Sequence, residues 1–151
     1  MRADEPSWIT GHIAVAGRLV AIHSQTRTAH GFRALLSLDG SLDDAGADRL
    51  GYDDWFCSEM RDGPGNDART FARVVETLSL MVSGTPPVLV HCHAGRSRSV
   101  AVVAGYLVRR ENMAPRAAFD YIARRRETAV QPELVTLVEQ LAARWRMEDR
   151  L

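Results

Sequence analysis

The sequence predicts an α/β fold in which helices flank a mostly parallel central sheet. Segments with strand-like and helix-like apolar spacing alternate along the 151 residues, which is typical of such a sheet. Residues 86–91, PPVLVH, form a continuous apolar run of the kind that is buried on both faces of a parallel sheet. Because 46% of the residues are apolar and no repeat or linker interrupts them, residues 1–151 are expected to form one domain.

Three further segments are predicted to be strands of this sheet. Residues 12–17, HIAVAG, alternate apolar with polar or small side chains. Residues 32–38, FRALLSL, are a short apolar run that follows Gly31. Residues 53–60, DDWFCSEM, give a weaker strand signal.

Helical spacing appears between these strands. Residues 41–51 are expected to hold a short helix capped by Ser41 or Asp43. A longer helix is predicted over residues 67–82 and ends at Gly84, because apolar residues recur every three or four positions at Phe71, Val74, Val75, Leu78 and Val82.

Three more helices are predicted after the strand at 86–91. The first begins close after that strand and has its apolar positions at Val100, Val103, Ala104, Leu107 and Val108. Pro115 suits the first turn of the second helix, which reaches about Arg126. Pro132 suits the first turn of the last helix, whose core stripe is Leu134, Leu137, Val138, Leu141 and Trp145.

The charge balance excludes a general attraction for polyanions. Nineteen basic residues, all of them arginine, match nineteen acidic ones, so neither nucleic acid nor a membrane surface is an expected partner. The N-terminal residues lack the pattern of a signal peptide, and no run approaches the ~18 apolar residues of a membrane span. We therefore expect a cytoplasmic protein with reduced cysteines.

The link between the strand at 86–91 and the next helix combines a cysteine, a glycine and arginines. Its sequence, HCHAGRSRS at 91–99, places Cys92 directly after the strand and Arg98 six positions later. Backbone N–H groups at a helix N-terminus lack partners and attract anions. Gly95 lets the chain turn with positive φ, and Arg98 adds a planar fork for two oxygens. Residues 91–99, called the cysteine loop below, are thus predicted to cradle a tetrahedral oxyanion above Cys92.

The same groups are expected to favour the thiolate of Cys92, which is the nucleophilic form. A helix dipole contributes only about 0.3–1 kcal/mol at an exposed site, so N–H donors, Arg98 and the Ser99 hydroxyl have to share this task. His91 is expected to order the loop by hydrogen bonding rather than to act as a base. The alternative is a histidine that is merely buried in the core.

The cysteine loop resembles the signature of cysteine-dependent protein tyrosine phosphatases, and its GRSRS ending resembles the dual-specificity branch. Residues 31–38, 49–67 and 130–141 are also similar to segments of that family, so the resemblance covers about residues 9–145 and is loose in the N-terminal third. It implies that Cys92, Arg98 and Ser99 are catalytic. It also implies that the phosphate is bound by His93, Ala94, Gly95, Arg96 and Ser97, with His91 in support and with no metal ion or cofactor.

A thiolate that attacks phosphorus needs an acid to protonate the leaving oxygen. Asp62 lies thirty positions before Cys92, after a predicted strand and before a Gly-Pro-Gly turn, and it matches the acid of the family in register. Asp67 is the rival acid, although an aspartate before a helical pattern is more typical of an N-cap. Asp53 and Asp54 are expected to be surface charges.

Four other features have both a functional and a structural interpretation. Arg96 either reaches the leaving group or decorates the rim, and the run 124–126 either steers substrates or forms a solvated helix end. Gln131 either positions water or occupies a turn. Cys57 either traps oxidised Cys92 as a disulfide or is a small buried apolar residue.

The favoured function is a protein phosphatase that acts on phosphotyrosine or on phosphoserine and phosphothreonine through a cysteinyl phosphate. Phosphoinositide-directed relatives often have lysines in this loop, which here has none. Pocket depth, which depends on loops such as 23–30, distinguishes the protein substrates. The alternatives are a phosphatase of a phosphoinositide or nucleotide, and a silent module that binds phosphoresidues. A sulfurtransferase or arsenate reductase fits the position and length of the loop less well.

Overall fold

The computed structural model describes residues 5–150, and these form a mixed sheet between two layers of helices. The strands in this part of the chain lie in the spatial order β1-β2-β5-β3-β4. They are β1 (Ser7–Trp8), β2 (Ile13–Ala16), β3 (Ala34–Ser37), β4 (Asp54–Cys57) and β5 (Val88–His91). β2, β5, β3 and β4 run parallel to their neighbours, whereas β1 pairs antiparallel with β2. The predicted mostly parallel α/β fold is confirmed.

The helices are named in chain order. They are α1 (Arg18–Ile22), α2 (Thr26–His30), α3 (Asp44–Arg49), α4 (Ala68–Gly84), α5 (Arg98–Glu111), α6 (Pro115–Ala123) and α7 (Pro132–Asp149). None of the helices within residues 5–150 has both the length and the apolar character that a membrane crossing requires.

Alternate residues of the central strand β5 face different helical layers. Val88 and Val90 pack with apolar side chains of α4, α5, α6 and α7. Leu89 packs on the opposite face with residues of α1 and α3. Both faces of β5 are therefore covered, which explains its continuous apolar sequence.

The longer helices begin where the sequence predicted. Asp67 caps α4, because its carboxylate accepts hydrogen bonds from the N–H and the hydroxyl of Thr70, both at 3.0 Å. Asp43 rather than Ser41 caps α3, accepting from the N–H of Gly46 at 2.8 Å.

The region before β3 differs from the sequence-based expectation. Residues 23–30 were expected to be a loop, yet α2 occupies 26–30 and is preceded by the equally short α1. Neither helix has a side-chain cap. Their contacts are tertiary: the hydroxyl of Thr26, for example, donates to the Val20 carbonyl at 2.6 Å. A helix of five residues is too short to show a helical repeat of apolar residues, and its stability comes from packing against the rest of the fold.

The parallel strands bring four chain segments to one edge of the sheet. Gly17 follows β2, Asp39 lies just beyond β3, and Cys92 follows β5. The segment that leads to Asp62 follows β4. This carboxyl edge is where open α/β sheets form their binding sites.

Candidate active site

Cys92 lies buried at the base of the cysteine loop, with 2% of its surface exposed. Its Sγ is 3.1 Å from the hydroxyl oxygen of Ser99, and the N–H of Ser99 points to the same sulfur at 3.5 Å. Both groups stand in the first turn of α5, which begins at Arg98. The sulfur thus has a hydroxyl and a helix N-terminal N–H beside it, and both can stabilise a thiolate.

The cysteine loop forms the floor of a cleft of about 310 Å³, called the phosphate cleft below. The lining residues are Asp62, Cys92, His93, Ala94, Arg96, Ser97, Arg98, Ala129 and Gln131. The turn depends on Gly95, which has a φ of +69°. A Cβ on Gly95 would lie 2.6 Å from the carbonyl carbon of Ala16, so no other residue fits this close approach.

The guanidinium of Arg98 is only partly satisfied by the protein. Its Nη1 donates to the carbonyl of Met60 at 3.0 Å. Its Nε is buried and has no hydrogen-bond partner among the described residues. Because an unpaired buried donor is unfavourable, this nitrogen is suited to an anion in the cleft.

The segment with Asp62 is held in a tight turn. The side chain of Asn66 accepts from the N–H of Arg61 at 3.0 Å and donates to its carbonyl at 2.7 Å. Gly63, with a φ of +151°, also accepts from Asn66. The turn leaves Asp62 exposed on the wall of the phosphate cleft.

Asp67 is directed elsewhere. The hydrogen bonds from the N–H and hydroxyl of Thr70 lower the pKa of Asp67 below its ordinary value. Asp53 and Asp54 are exposed and pair with Arg33 and Thr85, respectively. They lie at the start of β4, whereas the phosphate cleft lies at the carboxyl edge of the sheet. Of these aspartates, the structure brings Asp62 to Cys92.

His91 is fully buried and hydrogen-bonded on both sides of its ring. Nε2 lies 2.7 Å from the hydroxyl of Ser37, and Nδ1 lies 3.3 Å from the Cys92 carbonyl oxygen. Burial lowers the pKa of His91, so the ring is neutral near pH 7. A neutral ring bonded to the Cys92 backbone orders the loop, and it is not placed to act as a base in the cleft.

Two residues that sequence reasoning missed support the loop, namely Arg18 at the start of α1 and Asp39 after β3. The N–H of Arg18 donates to the His93 carbonyl at 2.8 Å, and its Nε pairs with Asp39 at 3.0 Å. Burial alone would raise the pKa of Asp39, but hydrogen bonds from Ser41 and Arg18 outweigh it and lower the pKa to about 2. An acidic residue just after a parallel strand was the available signal, since such positions meet at the carboxyl edge.

The weaker candidates divide between the site and the scaffold. Arg96 lines the phosphate cleft and pairs with Glu127 at 3.4 Å. Gln131 lines it too, while its N–H donates to the hydroxyl of Ser97 at 3.1 Å at the start of α7. The expectation of a solvated or steering run at 124–126 is wrong for Arg126, which is buried and bonded to the cysteine loop.

Cys57 stands apart from Cys92, and both are free thiols. Ser37 of β3 pairs with Cys57 of β4 on one side and with His91 of β5 on the other. Strand β3 therefore lies between β4 and β5. Two strand spacings amount to roughly 10 Å, beyond the ~7 Å between Cα atoms that a disulfide spans. Burial raises the pKa of the Cys57 thiol, which keeps it protonated.

The geometry is that of a phosphate site with a thiol at its floor, and comparison with known proteins agrees. The family model of the dual specificity phosphatase catalytic domain matches residues 21–143. The chain belongs to this family. Residues 21–143 therefore form a domain of the dual specificity phosphatase type, with Cys92 at the base of its cleft.

Curated relatives match this chain over short segments. Phosphatidylglycerophosphate phosphatase PTPMT1 of Arabidopsis thaliana is 54% identical over 33 residues, which are 22% of this chain and 10% of the plant protein. Phosphatidylglycerophosphatase and protein-tyrosine phosphatase 1 of Rattus norvegicus is 39% identical over 54 residues, 35% of this chain and 28% of the rat protein. The matches thus span less than a third of either relative.

Solved structures resemble this chain over nearly its whole length. Human DUSP28 has a TM-score of 0.82 at 17% identity and covers 94% of this chain and 99% of its own. The structure of PTPMT1 has a TM-score of 0.75 at 18% identity and covers 96% of this chain and 98% of its own. At such identities the likeness shows the shared fold alone.

Proposed function

We propose that Cys92 attacks the phosphorus of a phosphate monoester bound in the cysteine loop, and that Asp62 protonates the leaving oxygen. As the S–P bond forms, the P–O bond breaks, and the alcohol departs with the proton of Asp62. Water then attacks the cysteinyl phosphate and gives a proton to the Asp62 carboxylate. Inorganic phosphate leaves, and the electron pair of the S–P bond returns to Cys92 as a thiolate.

The remaining roles follow from the contacts of the loop. The unpartnered Nε of Arg98 is directed to a phosphate oxygen together with the backbone N–H groups of His93, Ala94, Gly95, Arg96 and Ser97. Ser99, whose hydroxyl touches the sulfur, stabilises the thiolate when Cys92 is the leaving group. His91 holds the loop as a neutral hydrogen-bonding residue.

Cys92→Ser tests this mechanism. The variant is expected to lose turnover of p-nitrophenyl phosphate, since a serine hydroxyl is a poor nucleophile without a base, but to retain binding of inorganic phosphate because the cradle persists. Turnover near the wild-type rate would remove the covalent route. Binding is measured by calorimetry and turnover by release of p-nitrophenol.

For the substrate, we propose a phosphate on an aliphatic carbon, carried by a phospholipid headgroup. The observation that supports it is a second cleft of about 290 Å³, the side cleft, which shares His93, Ala94 and Arg96 with the phosphate cleft. Its other lining residues are Gly17, Arg18, Leu19 and Val20. Leu19 is 80% exposed there, an apolar side chain beside two arginines. This combination suits a second anionic group followed by an apolar chain.

The phosphate cleft also offers few side chains that could pack against an aromatic ring of a substrate. No phenylalanine, tyrosine or tryptophan lines it within the described residues, and its apolar lining is limited to Ala94 and Ala129. A phenyl ring would find little to pack against, whereas a glycerol carbon needs no such wall. The printed name of the plant relative, a phosphatidylglycerophosphate phosphatase, agrees with this substrate. The printed name of the rat relative gives both a phosphatidylglycerophosphatase and a protein-tyrosine phosphatase.

A phosphorylated protein, which the sequence analysis favoured, is the second candidate. The dual specificity phosphatase model over residues 21–143 favours it, and the cysteine loop has no lysine. The predicted cytoplasmic location and the absence of a membrane partner belong with this candidate and remain predictions. A lipid substrate would instead bring the protein to a membrane surface.

A substrate panel separates the two candidates. It compares kcat/KM for short-chain phosphatidylglycerophosphate in mixed micelles, glycerol 3-phosphate, a phosphotyrosine peptide and a phosphoserine peptide. We expect the lipid to be preferred over both peptides. Preference for either peptide would reject the lipid proposal in favour of the protein substrate.

Leu19→Ser tests the side cleft within the same panel. Because burying a leucine side chain contributes about 1.5–3 kcal/mol, the variant should lose tenfold or more in kcat/KM for the lipid. Its activity on glycerol 3-phosphate should stay at the wild-type level. Leu80→Ser is the matched control, since Leu80 is 64% exposed on α4 and lines neither cleft. Equal losses on lipid and glycerol 3-phosphate would contradict a lipid-binding role for Leu19.

A further inference from the structure

The cysteine loop can bind an anion through its N–H groups only if its carbonyl groups point away from the cleft. Four successive carbonyls, at residues 93–96, have donors outside the cleft. His93 accepts from the Arg18 N–H at 2.8 Å, and Arg96 accepts from the Ala129 N–H at 2.9 Å. Within residues 5–150, the N–H groups of 93–97 donate to no protein acceptor. Hydrogen bonds to the carbonyl groups on the outer side of the loop therefore leave its backbone N–H groups facing the cleft.

The two middle carbonyls are held by a single side chain. Arg126 donates from Nε to the carbonyl of Gly95 at 2.6 Å and from Nη2 to that of Ala94 at 3.3 Å. Its remaining nitrogen, Nη1, donates to the hydroxyl of Ser7 at 3.0 Å and to the Glu5 carbonyl at 3.3 Å. The guanidinium thus connects the N-terminal segment to the centre of the loop.

Arg126 is 5% exposed, so its positive charge is largely removed from water. Within the described residues its recorded hydrogen bonds are to carbonyl and hydroxyl oxygens, and no ion pair involves it. A buried cation with neutral partners is unfavourable unless a negative charge lies near it. The acidic groups that act on Arg126 are Cys92, at the floor of the phosphate cleft, and the neighbouring Glu127. An anion held in the cysteine loop would add a further negative charge close to it.

We propose that Arg126 is a positioning residue that holds the anion-binding form of the cysteine loop. It acts by drawing the Ala94 and Gly95 carbonyls outward and by placing a positive charge behind the bound phosphate. A lysine cannot replace it fully, because an ammonium lacks the planar fork that reaches both carbonyls and Ser7. The inference rests on the proposed function, namely that the loop binds the phosphate of the substrate.

The test measures phosphate binding separately from folding. Arg126→Met and Arg126→Lys are compared with the wild type for the inhibition constant of inorganic phosphate, for kcat/KM with p-nitrophenyl phosphate, and for the urea unfolding midpoint. Arg126→Met is expected to raise the inhibition constant at least fivefold and to lower kcat/KM at least tenfold while it remains folded in the assay. Arg126→Lys should lie between Arg126→Met and the wild type.

Arg125→Met is the matched control, because Arg125 is the neighbouring residue but bonds to the carbonyl and ring of Tyr121 instead of the loop. It should leave the inhibition constant unchanged. A folded Arg126→Met with less than a fivefold increase overturns the proposal. Should Arg126→Met not fold, Arg126→Lys decides by whether its inhibition constant rises at least twofold. If the wild type itself neither binds nor releases phosphate, the proposed function fails instead.

Discussion

Arg98 donates from Nη1 to the carbonyl oxygen of Met60 at 3.0 Å, across 38 positions of sequence. Met60 lies two residues before Asp62, so the arginine of the cysteine loop is fixed by the segment that bears the candidate acid. The Nε of the same guanidinium is buried and unpartnered within residues 5–150. One side chain therefore sets the distance between the anion site and the acid while keeping a donor for the substrate.

Arg98→Lys tests this double contact while conserving charge. An ammonium cannot bind Met60 and a phosphate oxygen in the same planar geometry, so we expect kcat/KM for p-nitrophenyl phosphate to fall about 100- to 1,000-fold, as when an oxyanion donor is lost. Arg109→Lys, at the ion pair with Asp149 remote from the clefts, is the control and should be near the wild type. Near-normal kinetics of Arg98→Lys would show that Arg98 is only structural.

A comparison of two glycines with similar φ angles distinguishes the cost of backbone strain from the cost of a steric clash. Gly31 and Gly95 have φ of +74° and +69°, but a Cβ on Gly31 meets nothing within 4 Å. Gly31→Ala should therefore cost about 1–2 kcal/mol of unfolding free energy, the cost of a left-handed alanine. Gly95→Ala should cost a further ~1–3 kcal/mol, because its Cβ presses on Ala16 and Arg126. Urea unfolding measures both, and equal losses would contradict the close approach at Gly95.

Burial of neutral His91 makes the stability of the fold depend on pH. Its pKa is lowered in the folded protein from an ordinary 6.5, so the unfolded chain takes up a proton first as the pH falls. Stability is complete above pH 6.5 and should decrease below it, down to the pKa of the folded state. His91→Gln should weaken this decrease between pH 7 and 5, whereas His12→Gln, at an exposed site, should not. Urea unfolding at several pH values measures the slopes, and identical slopes would contradict the assignment.

The fold and the centre of the site were predictable because their signals are local. Each signal lies within one short segment: the apolar run of β5 indicates a buried strand, and the apolar spacing of α4 indicates a helix with one buried face. The residue types at 91–99 indicate an anion-binding loop. The supports of the loop were not predictable in this way. Arg126 is one of three consecutive arginines, and only the tertiary placement of Ala94, Gly95 and Ser7 around it shows which of the three is buried.

Arg18 and the neighbouring short helices show the same limit. Its bonds join the start of α1 to His93 and Asp39, residues that are 75 and 21 positions away in sequence. No periodicity reports such pairings, since five-residue helices are stabilised by packing and not by their own propensity. The sequence accordingly located the reacting groups better than the residues that orient them.

Asp62→Asn tests the division of roles between nucleophile and acid. If Asp62 protonates the leaving oxygen, the variant should lose about 100-fold or more in kcat for an alkyl phosphate, whose alkoxide needs the proton. It should lose much less for an aryl phosphate with a good leaving group, whose phenolate departs without the proton. Asp67→Asn is the control: it should keep the wild-type rates on both substrates and nearly the wild-type stability, because asparagine caps a helix about as well as aspartate. The assignment would be abandoned if Asp67→Asn, and not Asp62→Asn, showed the dependence on the leaving group.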